Sequence, residues 1–118
     1  MKISSSGFVF TIALLTAQPA AAWERLTTEQ QFRDRIVDRT IEAPNGSFVV
    51  GSDGQVAGAL GGRSFQGPWQ WHQGFWCRNV RVGNQESGTD CQVWEVNGNQ
   101  IRMTRDQGRG ETMTGTIR

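Results

Sequence analysis

From Arg39 onward, paired turn residues divide the chain into short pieces of similar length. They are Asn45-Gly46, Asp53-Gly54, Gly61-Gly62, Gln73-Gly74, Gly83-Asn84, Asn97-Gly98 and Gln107-Gly108. Glycine reaches positive φ at no steric cost and asparagine at little, so such pairs favour tight reversals between antiparallel strands. The pieces between them are of strand length and too short for self-supporting helices. They fall at about 39–43, 47–52, 55–60, 63–71, 75–82, 91–96, 100–105 and 111–117. Within them the side chains alternate. Phe65, Gly67, Trp69 and Trp71 oppose Ser64, Gln66, Pro68 and Gln70, and Met113, Gly115 and Ile117 oppose Thr112, Thr114 and Thr116. A period of two gives each strand one buried and one wet face. The spacing therefore predicts an all-β fold with one N-terminal helix, an antiparallel up-and-down meander forming a small barrel or half-barrel. Full closure would remove the unpaired edges that invite aggregation.

The helix is expected at about 28–38, within Leu26–Asp38. Thr28 and Gln31 have capping-box spacing, and Glu29 precedes Arg33 by four residues in the favourable ion-pair order. Phe32, Ile36 and Val37 share one side at helical spacing, so the helix should press that stripe against a sheet or a barrel end.

Residues 1–22 read as a secretory signal peptide of bacterial type. Lys2 is followed by an uncharged run centred on Phe8–Leu15, which is shorter than the ~20 apolar residues a bilayer span needs. Ala20 and Ala22 supply the small residues of an A-x-A site, so cleavage is expected after Ala22. The destination would be the periplasm or the exterior, with no stable membrane anchor after cleavage and a single domain over 23–118. Lys2 is the only lysine, so its removal takes the net charge from +1 to zero, with eleven arginines against eleven carboxylates. That balance argues against nucleic acid as a partner, and the absence of lysine excludes Schiff-base chemistry.

Cys77 and Cys91 are the only cysteines. An even count in an exported domain predicts one disulfide, worth roughly 3 kcal/mol for a loop of this size. The rival reading, a metal pair or redox dithiol, lacks a C-x-x-C pair or a second ligand cluster. Either the chain reverses at Gly83-Asn84, or the polar segment Gln85–Asp90 loops back over the sheet.

No complete catalytic, metal or cofactor set emerges. His72 is the lone histidine, and no G-x-S-x-G elbow accompanies it. Val56–Arg63 is glycine-rich like a nucleotide loop, but the strand-like Ser64–Trp69 follows where phosphate binding needs a helix N-terminus. Arg105–Glu111 reads as a solvated hairpin turn. The informative cluster is aromatic: Phe65, Trp69, Trp71, Phe75, Trp76 and Trp94. These rings can fill a core or line a cup for an apolar or sugar-like ligand. If Phe75 and Cys77 face inward, alternation turns Trp76 outward.

The pattern Asp53-Gly54, Gly67-x-Trp69-x-Trp71-x-x-Gly74-Phe75-x-Cys77-Arg78 and Asp90-Cys91-Gln92 resembles small exported proteobacterial β proteins of families without an assigned activity. The resemblance covers roughly residues 47–105. It implies a lipocalin-like or half-barrel meander with one disulfide, although the lipocalin G-x-W belongs on the first strand and here lies mid-chain. Some look-alikes carry the name dihydrodipicolinate reductase. The chain lacks the length, crossover helices and second domain of such an enzyme.

The expected function is that of an exported, non-enzymatic binding or accessory protein for a small apolar or glycan-like ligand or a periplasmic protein. The alternatives are a periplasmic protease inhibitor acting through the arm Trp23–Thr27, and a hydrolase using His72. The first checkable consequence is the processing site. N-terminal sequencing of exported protein should begin at Trp23, and an intact Lys2 would contradict the leader reading.

Overall fold

The computed structural model describes residues 7–9, 11 and 22–118. The segment read as a signal peptide lies largely outside the described residues. A two-residue strand, β1 (Glu24–Arg25), leads into α1 (Glu29–Arg35). Then follow β2 (Thr40–Ala43), β3 (Gly46–Val50), β4 (Gln55–Leu60), β5 (Arg63–His72), β6 (Phe75–Val82), β7 (Gln85–Asn97) and β8 (Gln100–Thr104). A single short turn of helix, α2 (Arg105–Gly108), connects β8 to β9 (Thr112–Ile117).

Each strand from β2 to β9 pairs antiparallel with its chain neighbour, and β9 pairs back onto β2 through Ile41–Ile117 and Glu42–Thr116. The meander is therefore a closed barrel of eight strands, not a half-barrel. β1 adds to the β7 edge beyond the reach of β6, through Glu24–Val96 and Arg25–Glu95. The turn pairs generate this order. Gly61 and Gly62 both have positive φ, the requirement of a two-residue hairpin, and Gly58 lies where a Cβ would strike the Phe48 backbone at 2.5 Å. The glycine run that superficially suits a phosphate is thus a strand and its hairpin.

β7 is longer than its apolar pattern predicts. Gln85–Asp90 is not a loop over the sheet; it pairs with β6 after a reversal at Gly83-Asn84. The register shifts between Asn79 and Arg81, so β7 holds an extra residue near Ser87-Gly88, where Gly88 takes φ +79°. Such a bulge re-aims side chains. Cys77 and Cys91 are cross-strand partners joined by the disulfide.

The helix forms where its capping signals predict and ends earlier, at Arg35. Thr28 and Gln31 make the capping box, and Arg33 Nε meets Glu29 Oε2 at 3.0 Å. Asp38, at φ +62°, turns the chain into β2, and its carboxylate accepts the Ser52 N–H. Phe32 and Ile36 are fully buried. Phe32 enters one end of the barrel and meets four indoles, with ring centroids 5.7 Å from Trp69, 5.4 Å from Trp71, 6.1 Å from Trp76 and 5.1 Å from Trp94. An eight-stranded barrel has an interior just wide enough to be filled by side chains or to hold one small ligand. Here one helical side chain, packed among the indoles, closes one end of it.

Truncating this plug should be costly. Phe32→Ala removes a buried ring from a close-packed cluster and should lower stability by about 3–5 kcal/mol, measured by urea unfolding. A loss under 1 kcal/mol would mean that the helix is not an integral part of the core.

Candidate functional site

The plug decides where a site can exist. The helix end of the barrel carries the β5–β6 and β7–β8 hairpins, secured by Arg25 Nη2 donating to the Gly74 carbonyl and Arg35 donating to that of Gly98. The opposite end is bounded by the β4–β5 and β6–β7 hairpins and by α2. It opens into a cavity of about 440 Å³ walled by Phe48, Val56, Leu60, Phe65, Val80 and Met113, with Val82 and Met103 beside them. That volume lies in the range of small-ligand pockets, which are mostly apolar with a few convergent polar groups.

The predicted aromatic residues divide between the two halves. Trp69, Trp76 and Trp94 are buried, and Trp71 packs against the core partly covered. Trp69 donates its indole N–H to the Gly51 carbonyl at 2.8 Å. Trp69, Trp71 and Trp94 all pack around Phe32, whereas Phe65 lines the cavity. Trp76 does both, packing on Phe32 and lining the cavity. The expected outward Trp76 is corrected. Trp76 is 3% exposed and points inward, while Phe75 lies under the Arg25 guanidinium, 5.1 Å from its centroid. The inward set on β6 is Trp76, Arg78, Val80 and Val82, so Cys77 belongs to the outer face with its partner Cys91.

That parity brings in residues which the sequence reading passed over. Arg78 lies opposite Asp90, and Trp76 opposite Gln92. Asp90 is a junction between two arginines that line the cavity, Arg78 and Arg105. Its Oδ2 accepts from Gln92 Nε2 at 2.9 Å and Arg105 Nε at 3.3 Å, and lies 3.9 Å from Arg78 Nη2. Its Oδ1 accepts the Asp106 N–H at 3.0 Å. The last contact holds α2 against the barrel, although Asp106 and Gln107 both take left-handed backbone angles, φ +51° and +55°. Such residues cost about 1–3 kcal/mol each and persist only where their surroundings fix them. The bulge directs Ser87 Oγ to accept from Arg78 Nη1 at 3.1 Å and from the Val80 N–H at 3.2 Å. Arg105–Glu111 is exposed throughout, as expected of a solvated turn, and Arg105 and Glu111 also line the cavity.

Of four buried side-chain polar atoms without a hydrogen bond among the described residues, two belong to residues that line the cavity: Gln92 Oε1 and Trp76 Nε1. Leaving such an atom unpaired costs about 1–3 kcal/mol. They sit one inward position below Asp90 and Arg78, about 7 Å deeper along the strands.

The other candidates lie elsewhere. His72 is exposed at the helix end and its imidazole makes no hydrogen bond among the described residues. The arm expected to inhibit proteases is docked. Leu26 is buried, and Trp23 lies beneath Arg102, 4.6 Å from its ring centroid, with Arg102 gripping Glu95 through two 2.8 Å bonds. Among the described residues, no three His, Cys, Asp or Glu side chains converge as metal ligands. Compared with protein families, curated proteins and solved structures, the chain matches none.

Burial pushes the Asp90 carboxyl upward, but the Asp106 N–H, Gln92, Arg105 and Arg78 together outweigh it and hold the group below its ordinary 3.8. Burial in turn holds the Arg78 guanidinium below its usual value, with Asp90 opposing. A depressed carboxyl stabilises the fold fully above its ordinary value, and that contribution is lost as pH falls through the folded value. Asp90→Asn should therefore cost about 1–3 kcal/mol at pH 7. It should also lose less of its remaining stability than the parent between about pH 4 and pH 2. Thermal unfolding across that range checks this, and equal acid losses in the two proteins would contradict it.

Proposed function

We propose that the protein is an exported binding module that holds a small apolar molecule in the open half of its barrel. The observation carrying this reading is the half-filled interior. Phe32 and its indoles pack one end solid, while about 440 Å³ remains at the other behind apolar walls. A barrel needing only stability would gain from filling that space, because unfilled apolar volume forfeits dispersion contacts and transfer free energy. The polar side chains of Ser87, Gln92 and Thr112, which line the same space, add to the argument, since ligand sites pair apolar lining with a few orienting polar groups.

Export to an oxidising compartment is part of the same proposal. It draws support from the leader-like residues 1–22 and from the Cys77–Cys91 bond, which such compartments favour. An apolar body suits these walls better than a glycan, whose hydroxyls would meet Leu60, Val80 and Met113. Neither an inhibitory role for the docked arm nor hydrolysis at the unpartnered His72 gains a comparable observation.

The test uses N-phenyl-1-naphthylamine, a neutral apolar dye that brightens on leaving water. The protein from Trp23 onward should enhance its fluorescence with roughly micromolar affinity, about −8 kcal/mol. Met113→Trp, which fills the cavity from β9, should abolish the enhancement while leaving the fold intact by circular dichroism. No enhancement with the parent protein, or an equal one with the variant, would overturn the reading.

A further inference from the structure

The cavity mouth has a charge pattern that its apolar walls do not require. Three arginines line it, Arg63 from the start of β5, Arg78 from β6 and Arg105 from α2, against one lining carboxylate, Glu111, with Asp90 of β7 beside Arg78 and Arg105. The cationic excess at this one opening belongs to a chain whose charges cancel once Lys2 is set aside. Asp90 cannot absorb it. Its two oxygens already accept from Gln92, Arg105 and the Asp106 N–H, and Arg78 stands off at 3.9 Å. Among the described residues the Arg105 guanidinium is engaged through Nε alone, on Asp90, and its two terminal nitrogens make no hydrogen bond. Arg63 makes no ion pair among the described residues, and its pairing with inward Leu60 puts it on the rim of the inner face. Glu111 is exposed at the edge, with its backbone carbonyl accepting the Arg105 N–H.

Resting on the binding reading above, we propose that the ligand is an amphiphile with an anionic head. Its carboxylate sits between Arg105 and Arg63 at the mouth and its apolar chain descends toward Trp76. A planar guanidinium meets a carboxylate through two parallel N–H bonds, which gives orientation as well as affinity. Arg78, walled in beside Asp90 with a side chain only 14% exposed, contributes charge from beneath and positions Asp90. The left-handed backbone at Asp106 and Gln107 belongs to the turn that holds the exposed Arg105 beside Asp90, with its Nε on that carboxylate.

Three ten-carbon probes separate this inference from the reading beneath it: decanoate, decanol and decyltrimethylammonium, each titrated against the protein from Trp23 onward while dye displacement is followed. Decanoate should bind about tenfold to a hundredfold more tightly than decanol, the range expected for charged hydrogen bonds, and the cationic probe should bind weakest. In Arg63→Gln/Arg105→Gln, whose replaced side chains are exposed, the preference for decanoate over decanol should collapse. In Arg33→Gln, at the helix end, it should persist. Equal binding of decanoate and decanol, or a preference unchanged in the double variant, would overturn the anionic head while leaving an apolar cup. Failure of all three probes to bind would overturn both.

Discussion

The contact of Phe32 with four indoles is the interaction on which the rest of the molecule depends. A closed eight-stranded barrel encloses a space that must be filled or used. This chain fills it from one side only, with a ring delivered by a seven-residue helix that could not stand alone in water. The helix is therefore held by what it plugs. Its capping box orders the first turn, and Asp38 locks its exit to the β3–β4 connection through Ser52. The indoles in turn are aligned by strand alternation, since Trp69 and Trp71 lie on one face of β5 and Trp76 and Trp94 face them from β6 and β7.

A second constraint follows from the first. Away from the helix end the inward positions are mixed: Phe48, Leu60, Phe65, Val80, Val82 and Met113, with Arg63 and Arg78 among the cavity-lining residues and Asp90 paired opposite Arg78. Inward charges near a barrel end are costly unless paired or wetted. The bulge at Ser87-Gly88 and the turn at Asp106 supply partners for two of them, so local irregularity is concentrated where the wall departs from simple apolar packing. The disulfide joins the outer surfaces of the same two strands, immediately behind Arg78 and Asp90. It ties β6 to β7 beside the Arg78–Asp90 pair.

Much of this was legible in the residues. Seven turn pairs and two clear alternations sufficed for a meander, and Thr28, Gln31, Glu29 and Arg33 sufficed for the helix start, because these are local effects that tertiary packing seldom reverses. The strand over Gln85–Asp90 was not legible, since its polar side chains carry no period and its pairing comes from the tight reversal at Gly83-Asn84. The inward Trp76 departs from the expectation because that expectation rests on Phe75 and Cys77 facing inward. A cross-strand bond can lie on either face, and here burial of the indole outweighs burial of the sulfur. The mouth could have been found from the cysteines themselves. Pairing Cys77 with Cys91 antiparallel sets Arg78 opposite Asp90 and Trp76 opposite Gln92 before any coordinate is known. What no pattern discloses is that Phe32 stops halfway, because the depth of a plug depends on the three-dimensional closure of the barrel.

That division of the barrel into a filled and an open half is most directly tested by methyl NMR of the protein saturated with a neutral apolar probe. Chemical-shift changes should be confined to Leu60, Val80, Val82, Met103 and Met113, which wall the open half, and absent from Leu26 and Ile36, which are buried with the plug. Changes centred on Leu26 and Ile36, or spread evenly over both groups, would contradict the account.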